Sequence, residues 1–299
     1  MVNVTKHAYK RMKERCGYSK STCQRMAEKA FAEGVNSKYP DSHAKEIPSV
    51  PETLSISYLK KNYPDFNVRE NLGFAMDYAS VEMVSLNIYD QLILAVAGKM
   101  AERRVRFVHT LLSDFRTNYV RRPVKLYIID NYRKELTDSK EQAFTELYSV
   151  SADSLKEVID TVYEELEERN DTLEDEGAEA LMKMPWLVVL VNNRQAMDAM
   201  ASSRDHENRF QDICKKYQAL KVLFLITDVN DASIMSSAPQ MLRKVKDDKK
   251  VLYFGAFKEM KLIDVYGSAA RGIGALSAAD DAYLINGENV ARVKTIQEV

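Results

Sequence analysis

Gln91-Leu92-Ile93-Leu94-Ala95-Val96-Ala97-Gly98-Lys99-Met100 is the stretch on which the reading of the chain turns. An apolar run of strand length ends in Gly-Lys, and a helix-compatible segment follows from Ala101 to about Asn118. Strand, turn, lysine and helix is the order of a phosphate-binding loop. There, backbone N–H groups wrap the phosphates, Lys neutralises charge, and a Ser or Thr hydroxyl ligates magnesium. Here the position matches and the chemistry is incomplete. In the ungapped register of Gly-x4-Gly-Lys-[Ser/Thr], the first glycine falls on Ile93, inside the strand, so the loop is either crowded by side chains or shortened. Met100 replaces the hydroxyl, and a thioether is a poor partner for a hard, oxygen-seeking cation. Gly-Lys after a strand also occurs in ordinary turns, so this stretch needs support from elsewhere.

Support comes from further short apolar runs at 124–130, 186–192 and 221–227. Continuous runs of this kind suit strands covered on both faces, as in a parallel sheet. Helical stretches lie between them. Asp153 is placed to cap a helix in which Leu155, Val158, Ile159, Val162 and Leu166 share one face, with acidic residues opposite. Repeated strand–helix–strand units predict a three-layer sandwich. Segments 282–285 and 289–294 flank Asn286-Gly287, a two-residue hairpin signal.

The run at 186–191 carries the second functional clue, because it ends in Asn192-Asn193. In phosphate-loop ATPases a buried strand ends in an acidic pair that holds the magnesium shell and polarises the attacking water. A carboxamide carries no charge and cannot act as a general base. Losing such groups costs several orders of magnitude in rate. Two separate positions are thus both disabled.

From residue 46 to 299 the order of elements resembles the FtsK/SpoIIIE class of hexameric ATPases, and within it the C-terminal ATPase-like domain of the type VII secretion ATPase (EssC type). The matching pieces are 47–52 (Ile-Pro-Ser-Val-Pro-Glu) as an entry segment and 72–77 as a short edge before the first core strand. Gly98-Lys99-Met100, Leu126-Tyr127-Ile128-Ile129-Asp130, the strand 185–192, Leu223–Thr227 and the segment from Gly272 through Asn286-Gly287 follow in order. The resemblance implies a RecA-like P-loop NTPase core with a mostly parallel sheet and a C-terminal hairpin. It also implies head-to-tail packing with other ATPase modules of a secretion motor, export of small helical-hairpin substrates, and homo-oligomers. A cytoplasmic place at the inner face of the cell membrane is implied through the secretion complex.

The departures at Ile93, Met100, Asn192 and Asn193 predict a catalytically degenerate, pseudo-ATPase module. ATP with magnesium is then held weakly or not at all, through Gly98, Lys99 and the helix N-terminus. One alternative is an active ATPase in which Asp130 or Asp228 supplies the missing carboxylate. Another is a DNA-translocating motor, against which stand the near-neutral body and the lack of a basic DNA-reading tail.

Composition sets the outer limits. Of 299 residues, 45% are hydrophobic and 29% charged, ordinary values for a globular chain. Residues 1–46 carry ten Lys and Arg against five Asp and Glu, whereas the remainder carries 33 against 39. Only this basic head could favour polyanions, and a solvated face or an acidic protein partner is the simpler reading. The head, residues 1–45, reads as a helical hairpin: a first helix near 6–16, a stop at Gly17, a cap at Ser19 and an end at Gly34. Cys16, Cys23 and Cys214 form no framework and predict reduced thiols, and the spacings of His7, Cys16, Cys23 and His43 fit no zinc pattern. No apolar run reaches the roughly 18–20 residues of a membrane span, so a fragment or one part of a longer motor is expected. Three ordinary readings complete the list. His109 and His206 are surface histidines, 244–250 is a solvated turn, and Met182, Met184, Met197, Met200, Met235 and Met241 fill gaps in the core.

Overall fold

The continuous apolar runs form strands because each is buried on both sides. The computed structural model describes residues 9–11, 19–25, 28, 49–229, 238–263, 273 and 275–297. It divides into two units, Met1–Pro48 and Ser49–Val299. In the first, residues 9–11 and 20–25 are helical, the backbone N–H of Thr22 donates to Ser19 Oγ (3.2 Å), and Cys23 is buried. The other readings of the head, including Gly17, Gly34, His7, Cys16 and His43, lie outside the described residues.

In the second unit the described residues build one sheet from β1 (Asn71–Asp77), β2 (Met83–Asn87), β3 (Ile93–Ala97), β4 (Val124–Ile129), β5 (Thr145–Ser149), β6 (Trp186–Val191), β7 (Val222–Ile226), β8 (Lys250–Tyr253), β9 (Asp281–Asn286) and β10 (Asn289–Thr295). Their spatial order is β2-β1-β10-β9-β8-β3-β7-β6-β4-β5. Neighbours from β8 to β5 pair in parallel, and the remaining pairs are antiparallel. The helices are α1 (Ile56–Asn62), α2 (Ala101–Asn118), α3 (Ser154–Glu176), α4 (Ala178–Lys183), α5 (Arg194–Ala201), α6 (Arg204–Asp212) and α7 (Gln240–Asp248).

Side chains alternate along each central strand between two apolar clusters. Ile93, Ala95, Val189, Val191, Phe224 and Ile226 join one cluster with Val158, Ile159 and Val162 of α3, Met197 and Met200 of α5, and Met241 and Leu242 of α7. Leu94, Val96, Val188, Leu190, Leu223 and Leu225 join the other with Phe107, Val108, Leu111 and Phe115 of α2. A sheet between two helical layers results. At roughly 25 cal/mol per Å² of apolar surface removed from water, these paired clusters dominate the stability of the unit.

Several local expectations are corrected. Segment 72–77 is not an edge, because β1 is flanked by β2 and β10, and β2 is the outer strand. Asp153 occupies the N-cap position of α3 without a side-chain capping bond; its carboxylate takes Lys156 Nζ at 2.8 Å instead. Residues 244–248 are helical, since Met241, Leu242 and Val245 bury a stripe beneath the lysines, and β8 begins at Lys250. The hairpin turn lies one residue later than expected. Asn286 pairs with Asn289, leaving Gly287 (φ +63°) and Glu288 as the loop. Met197, Met200 and Met241 are core residues, Met182 is exposed, and Met235 lies outside the described residues.

Candidate functional site

Adjacent strands β3 and β7 are followed by helices on opposite faces, α2 with one apolar cluster and α7 with the other. In α/β sheets a crevice opens at the carboxyl ends of such a strand pair, and ligands bind there. Five strand exits converge on it: Gly98 after β3, Asp130 after β4, Asn192 after β6, Thr227 and Asp228 after β7, and Phe254 after β8.

The exit from β3 is short. Strand ends at Ala97, Met100 is the N-cap, and α2 begins at Ala101, so Gly98-Lys99-Met100 is the whole connection. Ile93 is buried in β3 and paired with Phe224. The loop is therefore shortened, not crowded. Gly98 has φ +143°, and a Cβ there would stand 2.2 Å from the Phe254 carbonyl oxygen. Its conformation lets β3 and β8 leave the sheet in contact, tied by Phe254 N–H donating to Ala97 O (2.8 Å). Lys99 points outward, with Nζ 3.9 Å from Glu259 Oε2 and both side chains substantially exposed. Met100 is 53% exposed and makes no side-chain cap.

The amides at the end of β6 are engaged in structure. Asn192 Nδ2 donates to Asp130 Oδ1 (2.8 Å) and Glu135 Oε2 (3.1 Å). Asn193 Nδ2 donates to the Asp130 carbonyl (3.0 Å), while its Oδ1 accepts from Ala196 N–H (3.2 Å) and caps α5. Asp130 is fully buried. Its carboxylate accepts from Asn131 N–H (2.8 Å), Leu136 N–H (2.9 Å), Tyr148 Oη (2.8 Å) and Asn192 Nδ2. Four donors occupy the lone-pair directions that a metal would need.

A cation that the motif reading missed sits in the middle of this network. Arg104 projects from the first turns of α2 and is 1% exposed. Its guanidinium lies 3.8 Å from Glu135 Oε2 and 3.6 Å from Asp228 Oδ1. Burial lowers the Arg104 pKa, and the two carboxylates oppose that shift. Burial raises the Asp228 carboxyl above its ordinary value; Arg104 pulls it back and Glu135 adds to the rise. Asp228 also adopts φ +58°, a conformation Asp tolerates better than most residues. Asn192 Oδ1 and Thr227 Oγ1 are buried here without a hydrogen-bond partner.

Arg104 was discoverable from its spacing, because it occupies the stripe of Phe107, Val108, Leu111 and Phe115 where an apolar residue belongs. Glu135 lies in an irregular loop and sends no such signal. The histidines have partners that distance along the chain had concealed. His109 Nε2 is 3.0 Å from Glu135 O, and His206 Nε2 is 3.2 Å from Asp160 Oδ2 of α3. Among the described residues no group of three or more His, Cys, Asp or Glu could hold a metal ion. No described helix is long and apolar enough to cross a membrane.

The mostly parallel sheet between two helical layers has the RecA-like three-layer fold of the P-loop ATPases. In fold the chain is similar to modules of type VII secretion ATPases. EssC (ATPases 2 and 3) from Geobacillus thermodenitrificans superposes with a TM-score of 0.63 at 14% identity, over 94% of this chain and 51% of that one. Thermomonospora curvata EccC (ATPases 2 and 3), solved with a signal sequence peptide, gives 0.55 at 11% identity, over 94% and 49%. The pCW3 conjugation coupling protein TcpA, solved with ATPγS, gives 0.59 at 9% identity, over 84% and 71%. The chain thus spans about half the length of the two secretion ATPase structures. At these identities the likeness is one of fold. No family model and no curated protein matches the chain.

Proposed function

We propose that this chain is a non-hydrolysing, ATPase-type module of a type VII secretion-like motor, working through contacts with other ATPase modules or with exported helical-hairpin substrates. The observation that carries this reading is Arg104. A protein cation stands between Glu135 and Asp228 in the crevice where a working module holds magnesium and phosphate. The surrounding residues do not fit magnesium nucleotide either. A three-residue connection has too few N–H groups to wrap phosphates, Met100 offers sulfur where oxygen is needed, and Asn192 supplies no charge. The compensating carboxylates considered from sequence are engaged: Asp130 accepts four hydrogen bonds and Asp228 faces Arg104. Placement at the cytoplasmic face of a secretion complex follows from the same reading, supported by the likeness in fold to the cytoplasmic domain of EssC.

The test is steady-state ATP turnover of the purified chain with magnesium. Turnover at the level of the buffer blank is expected, for wild type and Lys99→Ala alike. Magnesium-dependent hydrolysis that Lys99→Ala abolishes would rule the reading out.

A further inference from the structure

At the opposite ends of the same strands, where β4, β6 and β7 begin, lies a pocket of about 140 Å³ lined by cations. Arg69, Arg121 and Lys183 ring its mouth, and Arg122 and Lys221 are buried beneath them. No carboxylate is among the lining residues. Arg122 is compensated: it pairs with Asp114, donates to Asn71 O (3.1 Å), and stacks 5.0 Å from the Trp186 ring. Among the described residues none of Arg69, Arg121, Lys183 and Lys221 has an ion-pair partner; Lys221 Nζ donates to two carbonyls, Met182 O (3.1 Å) and Met184 O.

We infer that this pocket binds a free phosphoryl anion. Its volume is enough for a phosphate group, and its cations without ion-pair partners favour an anion of two or more charges. Arginine forks recognise the oxygens of such an anion in pairs of hydrogen bonds. Trp186 forms part of the floor, with Nε1 donating to Arg69 O (2.8 Å), so the backbone of one mouth residue is held in place. The Lys221 pKa is lowered to about 8, by burial first and then by Arg169 and Arg69 with Glu70 opposing, and a bound dianion would favour its charged form. The site shares no residue with the β3–β7 crevice and does not depend on what happens there.

The experiment follows Trp186, the single tryptophan of the chain. The full chain is titrated with inorganic phosphate at constant ionic strength, reading tryptophan fluorescence and melting temperature. A saturable change with a midpoint below about 10 mM is expected. Arg69→Gln with Arg121→Gln should raise that midpoint at least about tenfold. Arg106→Gln with Lys216→Gln, which removes two exposed charges elsewhere, should leave it unchanged. The double variants alter exposed positions, so the test does not require Lys221 to be replaceable. Vesicles containing phosphatidylglycerol separate a free anion from a lipid headgroup. A flat phosphate titration overturns the proposal, even if vesicles sediment the protein. An equal loss in the control pair overturns it as well.

Discussion

Arg104 enters the crevice from a position on α2 that packing would reserve for an apolar side chain, and it holds Glu135 and Asp228 together. Removing the guanidinium leaves two carboxylates facing each other in a poorly solvated space. Arg104→Met should therefore cost about 2–4 kcal/mol in a denaturant titration, because breaking one side of a buried ion pair strands the other. The pH dependence has a definite sign. Asp228 is raised in the folded state, so folding binds a proton there more readily than the unfolded chain does. Stability limited by that group improves as pH falls through the raised value, and deleting Arg104 raises it further. The gap in melting temperature between wild type and Arg104→Met should narrow between neutral pH and about 5. A gap that widens would show that the carboxylates do not interact as described. At this scale the sequence revealed the residues that form contiguous strings, Gly98-Lys99-Met100 and Asn192-Asn193. It concealed their partners. Asn192 and Asp130 are 62 positions apart, and only the adjacency of β4 and β6 brings them within 2.8 Å.

The β3–α2 connection shows the same division at the level of elements. The strand and helix were legible because apolar periodicity is local, and α2 spans the Ala101–Asn118 range that periodicity indicated. What the intervening glycine does was not legible, since its neighbour comes from β8. A methyl group at Gly98 would lie 2.2 Å from a backbone oxygen, which no side-chain movement can relieve. Gly98→Ala should lower stability by about 2–4 kcal/mol, through overpacking added to a strained φ. Gly287→Ala is the control. Nothing lies within 4 Å of its Cβ position, so only the φ of +63° acts against it, and about 1 kcal/mol is expected. Equal melting temperatures for the two variants would mean that β3 and β8 are not pressed together at Gly98. The missed elements have equally physical reasons. Helix α7 hides its buried Met241, Leu242 and Val245 among lysines and aspartates, and the strand β5 is partly exposed along its length and lacks a continuous apolar run.

Stability and chemistry occupy different parts of the whole molecule. The sheet is held by apolar side chains alternating between two clusters, and every residue of β3, β6 and β7 is buried. ATPase chemistry, by contrast, belongs to the residues just beyond the strands. Those exits can change from carboxylate to carboxamide, or lose a loop, without opening a cavity in either cluster. This separation explains how a sheet can superpose on EssC at a TM-score of 0.63 with only 14% sequence identity. It also provides a test that needs no turnover. A ligand bound only to the native state at about 100 times its Kd adds about 2.7 kcal/mol. For a domain of this size that is a rise in melting temperature of roughly 5–11 °C. If Arg104 and the short β3 exit exclude magnesium nucleotide, the melting temperature with millimolar Mg-ATP should match that with magnesium alone. Arg104→Met should remain unresponsive as well if the three-residue β3–α2 connection, whichever side chain fills the crevice, is what excludes the phosphates. A rise of several degrees in wild type would show that the crevice accepts nucleotide despite its geometry. A rise confined to Arg104→Met would show instead that this one guanidinium, and not the missing loop, keeps nucleotide out.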